Sequence, residues 1–385
     1  MQYNTIQYNA MQSNQSAECF IQAASIIEEQ LGISKQETKP PCNTNTNTNT
    51  SSIKNNNNNN NNNNINKNHL AIVVSAMGGK PKTTDLLLDS VSAAATRDSS
   101  LVSSKLDYIL IKHDSCLDAL LNMQHCVPQI TMEQCQMLKE VIRKDIRDIE
   151  DILKTVSLMK WQAERISELV SGYGETWSAQ ILNALLTHRE GIRRAEYAEY
   201  AEYAGGDSGV HAGNTISQQQ QQQQQQQHCF RYLDARRVIT IDEDAIVNGA
   251  VCWDISKEKL NQVYQEEYIA ADMNMNTNIQ NENDVNPTMM HFVITGYVAS
   301  NTHGVATTLQ RDGSDYSAAI MGRLLESCNI TIWTDVDGVL SADPRRVPDS
   351  YVLPEVSFNE AMELAYFGAK VIHPKTVSWM CNFVL

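Results

Sequence analysis

Short apolar strands, each closed by a glycine turn and followed by a helix, recur along this chain and limit the folds open to it. His69–Ser75 runs through Leu-Ala-Ile-Val-Val into Gly78-Gly79, and Thr83-Thr84-Asp85 then caps a helix through Leu86, Leu87 and Val91. His291–Val298 reads as a strand containing Gly296, and Asp315–Glu326 as a helix. Ile330–Thr334 reads as another strand, and Ser357-x-x-Glu360 is a capping box opening a helix that ends at Gly368. Strands alternating with helices imply an α/β chain with a mostly parallel central sheet covered on both faces, a three-layer αβα sandwich.

Further helices are expected at Ser16–Leu31, Met132–Met159 and Trp177–Leu186, and a short strand at Arg236–Ile241. In Met132–Met159, Leu138, Val141, Ile142, Ile146, Ile149, Ile152 and Leu153 recur at helical spacing and read as core. Three polar inserts interrupt the pattern. They fall at about 35–68, with ten asparagines at Asn55–Asn64, at about 194–228, with an Ala-Glu-Tyr repeat and ten glutamines at Gln218–Gln227, and at about 274–286. Such tracts bury too little apolar surface to offset their ordering entropy, so disorder is the expectation. The organisation is then an atypical N-terminus at 1–15 and one catalytic-type domain over 16–385.

A formal charge of −15 argues against a nucleic-acid partner, which would be met by a basic face. The apolar runs, such as Leu70–Val74, are too short to cross a bilayer. Met1–Cys19 has no basic residue and no apolar core, unlike a targeting segment, so a soluble chain is expected. The nine cysteines form no CxxC pair, which points away from a zinc site and to a reducing compartment.

In an open α/β sheet, ligands gather beyond the carboxyl ends of the strands. Ser75-Ala76-Met77-Gly78-Gly79 and Thr334-Asp335-Val336-Asp337-Gly338 follow strands, where glycine lets the backbone approach phosphate; each is equally well a tight turn. Gly313-Ser314-Asp315 opens a helix whose amides suit an anion, with Arg311 placed to clamp a carboxylate, while Asp315 alone reads as a cap. Glu175 suits a substrate ammonium or is a first-turn acid favoured by the helix dipole. Lys370 suits phosphate or the carbonyls of a helix end. No GxxxxGK[ST] or GxGxxG occurs, so neither a P-loop nor a Rossmann site is expected.

Taken in order, these segments resemble the aspartate kinase family of the amino-acid kinase superfamily. The resemblance is carried by "VVSAMGG…TTDLLL" at Val73–Leu88, "GYGETWSA" at Gly172–Ala179, "TTLQRDGSDYSAAIMG", "WTDVDGVLSADPR" and "ELAYFGAKVIHP". The form of the Arg-Asp-Gly-Ser-Asp run is most similar to the kinase half of plant-type bifunctional aspartokinase–homoserine dehydrogenases. The resemblance implies the amino-acid kinase fold and transfer of the ATP γ-phosphoryl group to the β-carboxylate of L-aspartate. That reaction gives 4-phospho-L-aspartate and opens lysine, threonine and methionine synthesis. It also implies roles: Glu175 for the substrate ammonium, Arg311 for its carboxylate, and Ser75, Thr84 and Ser314 lining the aspartate pocket. Asp315 would organise the catalytic cations, Mg²⁺ among them, and Thr334, Asp335, Arg345 and Lys370 would hold ATP. A cytoplasmic or plastid location, and pairing with another copy or a full-length subunit, are the further expectations.

Where the family carries a strand and the turn Lys-Phe-Gly-Gly-Thr-Ser before its first helix, this chain has Met1–Asn14, without lysine or glycine. A central strand and the principal catalytic cation are therefore expected to be lost. The alternative this raises is a catalytically inactive homologue that binds ATP or a complete subunit.

Overall fold

A computed structural model of the chain describes residues 2–8, 16–33, 68–122, 128–159, 164–204, 227–242, 250–275, 289–309, 313–333, 338–343 and 347–366. Its main sheet has the order β3-β6-β2-β1-β9 and every pairing in it is parallel. The strands are β1 (Gln2–Tyr8), β2 (Asn68–Val74), β3 (His228–Leu233), β6 (Met289–Thr295) and β9 (Asn329–Trp333). A smaller sheet, β5-β4-β7-β8, is built from β4 (Thr240–Asp242), β5 (Ala250–Val251), β7 (Val298–Asn301) and β8 (Ala306–Thr308).

Alternation along β2 divides the core. Leu70, Ile72 and Val74 join one buried cluster with the apolar faces of α1 (Ser16–Gln30), α2 (Thr83–Ala95), α3 (Ser99–Leu121), α4 (Met132–Met159) and α6 (Tyr173–Ala204). Ala71 and Val73 face the other way, into a cluster with Phe292 and Ile294 of β6 and residues of α7 (Trp253–Met275), α8 (Gly313–Leu324) and the small sheet. A parallel strand covered on both faces must be apolar on both, which is why Leu70–Val74 carries no polar residue. The αβα sandwich inferred from the repeat is the architecture observed. In α4 the helical period holds: Leu138, Ile142, Ile146, Ile149 and Leu153 are buried, and Val141 and Ile152 flank them half-buried.

The structure corrects several expectations. The central strand is not lost, because Gln2–Tyr8 lies between β2 and β9 with Ile6 opposite Ile72 and Thr331. Backbone pairing asks only for strand-forming residues, and Tyr3, Thr5, Ile6 and Tyr8 are of that kind. The strand expected at Arg236–Ile241 is confined to Thr240–Asp242, since Ala235–Arg237 forms a 3-10 turn capped by Asp234. The strand before it, β3, has no counterpart among the expected elements, and its first residue, His228, falls at the end of the insert read at about 194–228. The insert assigned to 194–228 starts later, because α6 continues through the Ala-Glu-Tyr repeat to Ala204. Thr83 does not cap α2 from outside; it is the first helical residue, and its hydroxyl donates to Met77 O at 2.9 Å. The Ser357–Glu360 capping box forms as read, opening α9 (Phe358–Tyr366). Most of the asparagine and glutamine tracts, and Gly368, lie outside the described residues.

At the edge of the main sheet where its strands begin, three histidines gather: His228 stacks on His291 with ring centroids 5.1 Å apart, and His69 lies tilted 6.4 Å from His291. Leu70 N–H donates to His291 Nδ1 at 3.0 Å, so His291 carries its proton on Nε2, 2.9 Å from Nδ1 of His228. His69 Nδ1 meets Met290 O at 3.0 Å. Glu190 accepts from the His228 backbone and is paired with Arg193 and Arg194. The chain of bonds needs neutral rings, and burial pushes His228 down to about 4 and His291 well below the ordinary range. A histidine depressed in the folded state takes up its proton first in the unfolded chain. Stability is therefore expected to fall as pH drops from about 6.5 towards 4. Thermal melts of the wild type and His228→Gln across that window check it: the variant is expected to lose less stability towards pH 4, and identical pH slopes for the two refute it.

Candidate active site

The site is assembled where β2 and β6 end side by side, with Val74 opposite Thr295. Gly296 N–H donates to Val74 O at 2.9 Å, so the chain leaving β6 stays against the start of the Ser75–Gly79 loop. A Cβ on Gly296 would lie 2.7 Å from Ser314 Oγ and 3.0 Å from Val74 O. Only a bare backbone lets the first turn of α8 approach this closely, bringing Ser314 and the half-buried Asp315 to the sheet end.

Tyr297 fixes that approach. Its φ of 65° is a left-handed value for a bulky residue, held because its N–H donates to Ser317 Oγ at 2.9 Å and its carbonyl accepts from Leu309 N at 2.8 Å. Its hydroxyl lies 3.3 Å from Ser171 Oγ, at the end of α5 (Glu164–Ser171). Gly172 is the break between α5 and α6; a Cβ there would stand 2.7 Å from Val298 Cγ1. Sequence reasoning missed Tyr297, because an aromatic beside a strand carries no signal of its own.

Glu175 stands in the first turn of α6. A Cβ on its neighbour Gly174 would meet Ala76 Cβ at 2.8 Å and Thr83 Cγ2 at 3.3 Å, so the helix start is pressed onto the β2 loop and the start of α2. The Glu175 side chain is buried, and its carboxylate accepts from its own N–H and from Ala76 N–H. Oε2 has no hydrogen-bond partner among the described residues. Burial pushes the carboxyl up to about 8, against the pull of the two amides. A buried acid with an unmet oxygen is costly unless a cation arrives to pair with it.

Of the residues singled out from sequence, Ser75, Thr84, Glu175, Ser314 and Asp315 belong to segments that meet here. The N-termini of α2, α6 and α8 gather at this end of the sheet and together favour anions. Arg311, Thr334, Asp335, Arg345 and Lys370 lie outside the described residues. Trp333, preceding Thr334, ends β9 at this same end of the parallel sheet. Among the described residues no group of three or more His, Cys, Asp or Glu side chains is arranged to hold a metal ion.

Comparison with known proteins establishes the family and the fold. The pattern defining the amino acid kinase family matches residues 44–383, and the chain belongs to that family. It is 30% identical over 306 residues to the chloroplastic bifunctional aspartokinase/homoserine dehydrogenase 2 of Arabidopsis thaliana, covering 80% of this chain and 26% of that protein. It is 29% identical over 304 residues to the chloroplastic aspartokinase 2 of the same plant, covering 79% of this chain and 43% of the relative. The chain thus spans about a quarter of the bifunctional relative and under half of the other. Escherichia coli aspartokinase III, solved with aspartate and ADP, superposes with a TM-score of 0.62 at 18% identity, over 99% of this chain and 60% of that one. At that identity the likeness concerns the fold, which is that of the aspartokinases. No helix of the described residues is long and apolar enough to cross a membrane.

Proposed function

We propose that this site transfers the γ-phosphoryl group of ATP to the β-carboxylate of L-aspartate, giving 4-phospho-L-aspartate. The observation that carries the reading is the buried Glu175 carboxylate with its unmet oxygen, beside the anion-favouring starts of α2 and α8. An amino acid bearing two carboxylates answers both needs: its ammonium pairs with Glu175 and its carboxylates meet helix amides. Ser75, Thr84 and Ser314 line this pocket in the proposal, and Arg311 clamps the α-carboxylate. Asp315 steadies the charge at the transferring group, and Thr334, Asp335, Arg345 and Lys370 hold the nucleotide. Mg²⁺ binds through one or two carboxylates plus substrate phosphates, and Asp315 in the first turn of α8 is a donor of that kind; bound there, the ion would neutralise phosphate charge. Positioning and preorganised charge supply most of the catalysis in such a transfer.

A second reading is favoured by one observation: β1 occupies the central position but has no lysine in Gln2–Tyr8. A chain lacking that cation would bind ATP, or pair with a complete subunit, without turnover. Hydroxylamine trapping with L-aspartate and Mg-ATP separates the two. The proposed reaction requires hydroxamate that depends on both substrates. Folded protein giving none overturns it, and a melting temperature raised by ATP alone would then support the second reading. Two relatives carry chloroplastic names, so a plastid is the compartment proposed for the lysine, threonine and methionine route this step would open.

A further inference from the structure

Lys112, on α3, reaches under the loop between β2 and α2. Its Nζ donates to the carbonyls of Met77 at 3.4 Å, Gly78, and Pro81 at 3.2 Å, and to Thr83 Oγ1 at 3.3 Å. All these acceptors belong to one seven-residue stretch, 77–83, so a single ammonium gathers the whole turn. Thr83 spends its own hydroxyl proton on Met77 O, which leaves its oxygen free to accept from the lysine. Among the described residues no carboxylate forms an ion pair with Lys112, and the loop carbonyls are its counter-charge. Half-burial lowers its pKa, a cost that a merely solvent-facing lysine would not meet.

The consequence follows from peptide geometry. A trans peptide holds its C=O and N–H antiparallel, so carbonyls of Met77 and Gly78 turned onto Lys112 turn the N–H groups of Gly78 and Gly79 away from it. Gly79, at φ 101°, permits the reversal. Ala76, just before this stretch, and Thr83, its last residue, are parts of the site already described: Ala76 donates to Glu175, and Thr83 packs on Gly174.

We infer that Lys112 is a positioning residue, holding the 77–83 turn so that Ser75-Ala76 and Thr84 are presented to an amino-acid substrate held by Glu175. The inference rests on the aspartate reading for the identity of the ligand, but not for the loop's geometry. Lys112 touches no reacting atom in this account, since its protons are taken up by the loop. Sequence analysis missed it because a lysine in an amphipathic helix looks like any solvated charge.

Hydrogen–deuterium exchange and substrate titration on the full chain, with Lys112→Met and Lys112→Arg, test this. In Lys112→Met, amides of 78–83 are expected to exchange faster and aspartate affinity to drop about tenfold, with ATP affinity changed less than about twofold. Exchange in α4 should stay as in the wild type, and Lys112→Arg should recover much of both effects. Unchanged loop exchange, or α4 loosening as much as the loop, overturns the positioning role. A wild-type chain that binds no aspartate overturns the aspartate reading instead, while the loop-exchange result stands by itself.

Discussion

Glu175→Gln is expected to lower kcat/KM for L-aspartate by ~10²–10⁴, since removing one partner of a buried ion pair costs about 3–5 kcal/mol. Glutamine keeps the size of the side chain and can still accept from Ala76 N–H, so the fold should persist. What it cannot supply is a charge for the substrate ammonium. The pH profile separates this from a packing defect. In the empty site the Glu175 carboxyl is pushed up to about 8, so at neutral pH it is held protonated. A carboxyl raised in the folded state binds its proton more tightly there than in the unfolded chain. Its contribution to stability is then full below about 4.5 and is lost as pH rises towards 8. Aspartate reverses that penalty, because its ammonium favours the ionised form. Wild-type kcat/KM should rise with pH up to about 8, and the thermal shift caused by aspartate should grow over the same interval. Glu175→Gln should flatten both curves. A wild-type profile already flat from pH 6.5 to 8.5, or a variant within about threefold of wild type, would refute the assignment.

Much of this was legible in the sequence, and the reasons differ by residue. Leu70–Val74 was legible as a strand covered on both faces because a short apolar run closed by a glycine turn is what a parallel sheet interior carries. The α4 face was legible because helical spacing is a strong signal over that length. Gln2–Tyr8 was not: three of its seven residues are Gln or Asn, and only its neighbours on either side make it a strand. Tertiary pairing overrode local composition there. At the site, Glu175 and Ser314 could be found because glycines beside them mark close approach. Tyr297 and Lys112 could not, since their roles lie in which carbonyls and hydroxyls they reach across more than thirty residues of chain. The resemblance also carries a family lysine that this chain lacks, and with it the expectation of a missing strand. Strand and lysine proved to be separate matters: the backbone ladder survives without the side chain.

The close approach at Gly296 gives the second large effect. Gly296→Ala is expected to destabilise the fold by ~1–3 kcal/mol, as overpacking of a dense interior does. The new Cβ would stand 2.7 Å from Ser314 Oγ, 2.8 Å from Ser314 Cβ and 3.0 Å from Val74 O. The hydroxyl can rotate away, but Ser314 Cβ is fixed to the first turn of α8 and Val74 O belongs to a buried strand. The helix start must therefore lift from the sheet, carrying Ser314 and Asp315 with it. A misplacement of ~1 Å can cost ~10²-fold in rate, so activity should fall further than stability alone would make it. Gly191→Ala is the control, for a Cβ there meets nothing within 4 Å. In the interior of α6 that change should stabilise by ~0.4–1 kcal/mol, through the unfolded chain and helix propensity. Urea titrations of both variants alongside aspartate titrations decide it. If Gly296→Ala matches wild type in stability and aspartate affinity, the approach of α8 to the ends of β2 and β6 is looser than the structure has it. The anion-binding arrangement built on that approach then falls with it.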